Sequence, residues 1–97
     1  MHGEISIQQA QWALANKVDI VLIDVRTAGE YSQGHIAGSI NIPLATIRSC
    51  RIPKNAPVFV CCKGGSRAEQ AKNTLMAMGY TNVVNIGGIN GWKLVSD

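Results

Sequence analysis

The chain has few cysteines, few histidines and few aromatic residues, and each shortage excludes a class of protein. Its three cysteines, an odd number with two of them adjacent, do not suit a disulfide framework. With two histidines and no C-x-x-C pair, the sequence predicts no metal site and no cofactor. Aromatic residues make up 5% of the chain and do not interleave with its scattered cations, so nucleic acid is not an expected partner.

The sequence also lacks an apolar run of membrane-spanning length and the pattern of a signal peptide. Its 46% hydrophobic and 15% charged residues are typical of a soluble globular domain, and its length predicts a single domain over residues 1–97. We expect no membrane partner, a monomeric state and a cytoplasmic location; removal of a leader peptide would make the protein periplasmic instead. The net charge of +3 suits small anionic substrates.

Short β-branched apolar runs alternate with helical patterns along the chain, which is typical of a small α/β domain. We therefore predict a mainly parallel five-stranded sheet that is flanked by helices on both faces. One strand is expected to begin at Ile5, and three more are expected over 18–25, 58–61 and 82–86. The remaining one is a short strand between a glycine-punctuated turn and Pro43. Capping-box patterns predict helix starts at Ser6, Thr27 and Ser66, and a last helix is predicted over 89–95 with Trp92 as its packing anchor.

The segment most suited to chemistry is the loop that follows the predicted strand 58–61. It reads Cys62-Lys63-Gly64-Gly65-Ser66 and leads directly into a predicted helix. A cysteine in such a loop faces unpaired backbone N–H groups and the positive end of a helix dipole, both of which stabilise a thiolate. The pattern therefore predicts a reactive cysteine. The alternative is an ordinary strand-to-helix loop that contains a buried cysteine.

Charge and flexibility in the same loop favour the reactive interpretation. Lys63 and Arg67 add positive charge beside the cysteine. Gly64 and Gly65 allow the backbone to curl, so that its amides point inward and bind an anion. We expect these loop residues, together with Ser66, to bind the substrate.

Two adjacent cysteines compete for the role of nucleophile. Counted from Cys61, the loop reads C-x-x-G-x-x-R, which resembles the arrangement of cysteine phosphatases and arsenate reductases. Counted from Cys62, it reads C-x-x-G-x-R and is one residue shorter. Cys61 completes the apolar strand, whereas Cys62 opens the loop. We therefore predict Cys62 as the nucleophile and Cys61 as a packed strand residue.

Polar residues at the end of the predicted strand 18–25 are candidates for supporting roles. Asp24 and Arg26 are expected near the cysteine loop, since ligands bind beyond the carboxyl ends of parallel strands. They would either orient groups at the mouth of the site or, as we favour, act structurally, with Arg26 paired to Glu30 or anchored to the backbone. His35 could act as a base, but in a Gly-His-Ile turn a hydrogen-bonded structural role is favoured.

Three residues of the loop also have two interpretations each. Lys63 could bind an anionic substrate or remain a solvated charge. Ser66 could donate a hydrogen bond to the substrate or cap the helix. Arg67 could fold back over an anion or pair with a carboxylate on the surface of the helix.

Several motifs together resemble the rhodanese-like domain, and the resemblance covers about residues 5–92. The single-domain, stand-alone members of that family are the most similar. The matching motifs are Asp24-Val25-Arg26, Glu30-Tyr31, Gly34-His35-Ile36-x-Gly38-x-Ile40-Asn41-Ile42-Pro43, the Cys62 loop, Gly79-Tyr80-x-Asn82-Val83 and Gly87-Gly88-Ile89-x-x-Trp92. One departure is Ala68, because such loops often carry serine or threonine after the arginine; this difference concerns the choice of substrate.

The resemblance implies a rhodanese-like fold and a thiosulfate sulfurtransferase. In such an enzyme Cys62 would take the outer sulfur of a small anionic donor such as thiosulfate, hold it as a persulfide and pass it to cyanide or a thiol. Two alternatives stay open at this point. One is a phosphatase or arsenate reductase of the same fold that uses Cys61, and the other is a non-catalytic module that binds a protein partner.

Overall fold

The computed structural model describes residues 4–96. This part of the chain contains three α-helices and six strands, with one 3₁₀ segment at Leu44–Ser49. The helices are α1 (Ile7–Asn16), α2 (Ala28–Gln33) and α3 (Ser66–Ala77). The strands are β1 (Val21–Asp24), β2 (His35–Ile36), β3 (Ile40–Asn41), β4 (Val58–Cys62), β5 (Val83–Gly88) and β6 (Leu94–Val95).

The main sheet has the order β3-β1-β4-β5, and all of its strands run parallel. A separate antiparallel pair joins β2 to β6. The predicted α/β class and mainly parallel sheet are confirmed, although the described residues form four strands in this sheet where five were predicted. The central strand β4 is buried over its whole length, which explains why its sequence is a continuous apolar run.

The missing strand is the one predicted at Ile5. The chain does lie against β5 there, because the Glu4 N–H donates to the Asn85 carbonyl at 2.7 Å. It cannot continue as a strand, since Ser6 already caps α1. The Ser6 side chain accepts from the Gln9 N–H at 3.0 Å, and the Gln9 side chain accepts from the Ser6 N–H at 2.8 Å.

The helix predicted over 89–95 is wrong. The chain instead makes a turn, in which the Trp92 N–H donates to the Ile89 carbonyl at 3.1 Å, and then forms β6. Gly91 has φ +92°, a left-handed conformation that interrupts a right-handed helix. Residues Leu94 and Val95 pair with β2, so a contact distant in sequence decides the structure of this segment.

The two faces of the sheet carry separate cores. On one face, α3 covers side chains of β1 and β4; the buried members of this cluster include Ile23, Val58, Val60, Cys62, Ala68, Ala71 and Leu75. On the other face, α1 covers a second cluster that includes Ala10, Leu22, Phe59, Cys61 and Ile86. The alternation of side chains along β4 therefore divides its residues between two compartments.

No helix within residues 4–96 is long and apolar enough to cross a membrane.

Two isoleucines at one register of the sheet allow a matched test of the core. Ile23 on β1 is fully buried, whereas its partner Ile40 on β3 is 44% exposed. We expect Ile23→Val to lower the free energy of unfolding by about 1 kcal/mol, because it leaves a methyl-sized gap in a packed interior. The same change at Ile40 should cost less than about 0.5 kcal/mol. Urea unfolding of both variants measures the difference, and equal losses would contradict the described placement of the core.

Candidate active site

Strand β4 delivers two cysteines to opposite faces of the sheet. Cys62, its last residue, lies on the face covered by α3, in the same cluster as Ala68. Cys61 points to the other face, where it packs with Leu22 and Phe59. Both side chains are buried, but they occupy different environments because successive residues of a strand alternate.

The sulfur of Cys62 lies at the N-terminus of α3 and accepts two backbone hydrogen bonds. The Gly65 N–H donates to Sγ at 2.8 Å and the Ala68 N–H donates at 3.3 Å. Gly65 adopts φ +98°, which turns the chain sharply between the end of β4 and the start of the helix. Both amides are at a helix terminus, where N–H groups have no partner within the helix. The arrangement is a small anion cradle around the sulfur.

The predicted capping box at Ser66 is wrong, and the sulfur explains why. The N-cap residue is Gly65, which has no side chain to accept a hydrogen bond, and Ser66 is the first residue of α3. A capping oxygen normally accepts from the amide three residues after the N-cap. Here that amide belongs to Ala68, and it bonds the sulfur of Cys62 instead. The sulfur thus takes the position of a capping oxygen.

Arg67 is held by a carboxylate of α2. Its guanidinium donates to both oxygens of Glu30, at 2.7 and 3.1 Å. Glu30 also accepts from the Thr27 N–H at 3.0 Å as part of the capping box of α2. The bond from Arg67, followed by the bond from the Thr27 amide, lowers the pKa of Glu30 from 4.5 to about 2. Arg67 was predicted either to fold back over an anion or to pair with a carboxylate on its own helix. It does pair with a carboxylate, but its partner Glu30 lies on α2 and not on α3.

Asp24 and Arg26 form a buried ion pair at the end of β1. The Arg26 Nε and a terminal nitrogen donate to the two oxygens of Asp24, at 3.0 and 2.8 Å. Arg26 also donates to the Gly34 carbonyl at 2.7 Å. These bonds to Asp24 raise the pKa of Arg26 above its ordinary value. The predicted pairing of Arg26 with Glu30 is therefore wrong, because Glu30 is bound to Arg67, while the predicted backbone anchor is present.

A cleft of about 260 Å³ opens beside the cysteine loop. Lys63, Arg26 and Glu30 line it, with Ile89 and Leu94 as apolar walls. Among the cations of this cleft in the described part of the chain, Lys63 is the one not held in an ion pair. Its exposed ammonium group is thus available to an incoming anion.

His35 has the structural environment that the sequence favours. Its Nδ1 lies 2.8 Å from the Tyr31 carbonyl, and its ring stacks on the Tyr31 ring with a centroid separation of 3.8 Å. The Tyr31 hydroxyl in turn donates to the Ser39 carbonyl. These contacts tie α2 to the turn that leads into β3.

The environment of Cys61 disfavours a thiolate. Burial, and after it the negative charge of Asp24, raises the pKa of the Cys61 thiol well above its ordinary value. No group of three or more histidine, cysteine, aspartate or glutamate side chains among residues 4–96 is placed to hold a metal ion.

Strand β5 packs against the cysteine loop and donates a hydrogen bond to it. Sequence reasoning missed this role. A Cβ atom on Gly88 would lie 2.2 Å from the Lys63 carbonyl oxygen and 3.3 Å from the Gly64 Cα, so this position accepts only glycine without movement of the loop. Asn85 on the same strand donates to the Gly65 carbonyl at 3.1 Å. The available signal was a polar residue within the apolar run 83–86, which marks a buried hydrogen bond.

Comparison with known proteins gives consistent relatives over most of the chain. A family model described as Rhodanese-like domain matches residues 8–94. A sulfurtransferase of Allochromatium vinosum is 39% identical over 95 residues, which are 95% of this chain and 89% of the relative. The thiosulfate sulfurtransferase PspE of Escherichia coli is 45% identical over 71 residues, which are 69% of this chain and 68% of the relative.

Solved structures agree with the sequence relatives. A rhodanese with anions from E. coli superposes with a TM-score of 0.74 at 38% identity, covering 80% of this chain and 99% of that one. The family model, the relatives and the shared fold together lead to one assignment. The chain belongs to the rhodanese-like domain family.

Proposed function

We propose that this protein is a sulfurtransferase that moves a sulfane sulfur from a small anionic donor, such as thiosulfate, to a thiol or cyanide. Relatives named sulfurtransferase and thiosulfate sulfurtransferase support the activity. The observation that carries the proposal is the cradle of Cys62, whose sulfur accepts the Gly65 and Ala68 amides at the helix terminus. These donors are fixed before the reaction and stabilise negative charge on sulfur at no further cost in reorganisation.

In the first step, the Cys62 thiolate attacks the outer sulfur of the donor. A sulfur–sulfur bond forms to Cys62 as the bond between the outer sulfur and the rest of the donor breaks. The electron pair of the broken bond leaves with the leaving group, which is sulfite when thiosulfate is the donor. Because Cys62 is 1% exposed, a small donor is better suited to reach its sulfur than a bulky one.

In the second step, the acceptor attacks the terminal sulfur of the Cys62 persulfide. A bond forms between acceptor and sulfur, and the electron pair of the persulfide bond returns to Cys62 as a thiolate. Cyanide would become thiocyanate, and a thiolate would become a persulfide. The enzyme returns to its starting state after two displacements, so neither step needs an outside oxidant or reductant.

Within the described residues, two of the cations near Cys62 are held in ion pairs and Lys63 is not, which supports a specific role for Lys63. Arg67 is held by Glu30 and Arg26 by Asp24, so neither guanidinium is free to follow a donor into the cleft. Lys63 lines the same cleft and follows Cys62 in sequence. In the proposed reaction Lys63 binds the anionic end of the donor, while the backbone amides stabilise the sulfur. An exposed lysine is screened by solvent and salt, so the amides contribute more to thiolate formation.

A phosphatase or arsenate reductase that uses Cys61 is disfavoured by geometry. Cys61 points into the core beneath α1, away from the loop amides that would hold an oxyanion. Its buried thiol, with raised pKa, is a poor nucleophile.

The persulfide intermediate is directly testable. After treatment with thiosulfate, we expect the intact protein to gain the mass of one sulfur atom, and a reducing thiol should remove it. Cys61→Ala should keep this gain and Cys62→Ala should lose it, which makes the two adjacent cysteines matched controls. Mass spectrometry of the three proteins checks the result. Retention of the added sulfur by Cys62→Ala, with loss in Cys61→Ala, would reverse the assignment of the nucleophile.

Two neighbouring glycines test the cradle. Gly65 has φ +98° and donates to Cys62, whereas a Cβ on Gly64 would have no atom within 4 Å. We expect Gly65→Ala to reduce sulfur transfer at least about tenfold, equivalent to about 1.4 kcal/mol of barrier, because the added Cβ disfavours the left-handed turn that aims the amide. Gly64→Ala and Lys63→Ala should each change it less. Thiosulfate-to-cyanide turnover compares them, and an unaffected Gly65→Ala enzyme would show that the turn is not required.

The Glu30–Arg67 pair predicts a dependence of stability on pH. Folding lowers the pKa of Glu30 from 4.5 to about 2, so the folded state favours the charged carboxylate. The stabilisation is fully present above about pH 4.5 and is lost as the pH falls toward 2. A double-mutant cycle with Glu30→Gln and Arg67→Gln, measured by thermal unfolding, should show coupling at pH 6 that disappears near pH 2. Coupling of the same size at both pH values would contradict the ion pair.

A further inference from the structure

Asn85 is a buried polar residue on β5, and all of its side-chain hydrogen-bonding groups are in use. It is 4% exposed. Its Nδ2 donates to the Gly65 carbonyl and to a carboxylate oxygen of Glu69, both at 3.1 Å, and its Oδ1 accepts from the Gly87 N–H at 2.8 Å. A reversed amide would place its oxygen against two acceptors, so this network fixes the orientation of the side chain.

The bond between Asn85 and Gly87 spans a β-bulge, at which the pairing of β4 with β5 shifts by one residue. Val60 is opposite Asn85, but Cys61 is opposite Gly87, so Ile86 is an extra residue on β5. Such bulges re-aim a strand and often occur beside active sites. Beyond this one, Gly88 lies opposite Cys62, where the absence of a side chain lets the Lys63 carbonyl approach.

The bond to Gly65 reaches the residue that contacts the sulfur. The Gly65 N–H donates to Cys62 Sγ, and the carbonyl of Gly65 accepts from Asn85. The left-handed turn at Gly65 is therefore fixed by two hydrogen bonds: the Gly65 N–H binds the sulfur, and the Gly65 carbonyl binds Asn85 of β5. The Gly65 carbonyl also accepts from the Glu69 N–H at 3.0 Å, but this bond lies within the helix and does not connect the turn to the sheet.

The backbone of Asn85 is held independently of its side chain. The Asn85 N–H donates to a carboxylate oxygen of Glu4 at 2.6 Å, and the Asn85 carbonyl accepts from the Glu4 N–H at 2.7 Å. Glu4 is in turn paired with Lys72 of α3. A change of the Asn85 side chain should thus release the loop while β5 stays in place.

We propose that Asn85 is a positioning residue for the sulfur-transfer centre. Its side chain connects the bulge of β5 to Gly65 and so keeps the Gly65 N–H directed at the sulfur of Cys62. The proposal rests on the proposed function for its consequence in catalysis. The direct effect of Asn85 is on the hydrogen bond from the Gly65 N–H to the Cys62 sulfur, and the reactivity of that sulfur can be measured without any sulfur donor.

The first experiment measures the rate of Cys62 alkylation by iodoacetamide against pH, with Cys50 and Cys61 replaced by alanine in every protein compared. Asn85→Ala removes all three bonds. Asn85→Asp keeps an acceptor for Gly87 but replaces the donor to Gly65 with an oxygen. Both variants should alkylate at least about tenfold more slowly near pH 7, because the thiolate loses a charge-assisted hydrogen bond.

Glu69→Ala is the matched control, because it removes the other acceptor of the Asn85 amide and leaves the bond to Gly65. It should keep the alkylation profile within about twofold of the parent, a difference well below the effect of a charge-assisted hydrogen bond. A profile of Asn85→Asp like that of the parent would overturn the proposal, since the bond to Gly87 alone would then suffice. A shift in Asn85→Asp with none in Asn85→Ala would also overturn it, since the new charge would be the cause.

Turnover separates this proposal from the proposed function. If the parent transfers sulfur, both Asn85 variants should lose kcat more than they raise KM, and thermal unfolding should show them folded at the assay temperature. If the parent transfers no sulfur while the alkylation profiles move as expected, the proposed function fails and the positioning role of Asn85 stands. Profiles that do not move, in folded variants, refute the positioning role whatever the turnover.

Discussion

The structure depends on one contact, between the sulfur of Cys62 and the backbone amides at the start of α3. The sulfur accepts from Gly65 and Ala68, so it satisfies donors that a capping side chain would otherwise have to satisfy. The same contact therefore ends β4, begins α3 and places a potential thiolate at the positive end of the helix. The glycine at Gly65 permits the left-handed turn of this loop, and the glycine at Gly88 leaves room for the Lys63 carbonyl.

Side-chain charges around the cradle are mostly bound to one another. Arg26 is paired with Asp24 and Arg67 with Glu30, and each pair also anchors backbone, at Gly34 and at the start of α2. The arginines thus fix the walls of the site, while the Gly65 and Ala68 amides donate to the Cys62 sulfur and Lys63 lines the cleft. The alternation of side chains along β4 separates the two cysteines, because Cys61 points into an apolar core and Cys62 into the cradle.

Features set by local sequence could be predicted, and features set by distant contacts could not. The starts of α1 and α2 follow from Ser6 and Thr27, whose caps involve residues three positions away. The cap of α3 was assigned wrongly because its acceptor is a sulfur on the preceding strand. Residues 94–95 were assigned to a helix because their partner, β2, lies far back in the chain. Cys62, Lys63 and Gly65 could be placed at the loop from spacing, but the role of Asn85 depends on β5 lying beneath that loop.

The most direct test of this account is a nitrogen–proton NMR titration of the labelled protein with thiosulfate. The amide signals of Gly65 and Ala68 should move most, because their N–H groups bond the sulfur that would carry the proposed persulfide. The signals of Leu22 and Ile86, which pack with Cys61, should move little. The largest changes at Leu22 and Ile86, with Gly65 and Ala68 unmoved, would contradict the claim that the helix terminus and Cys62 form the reactive centre.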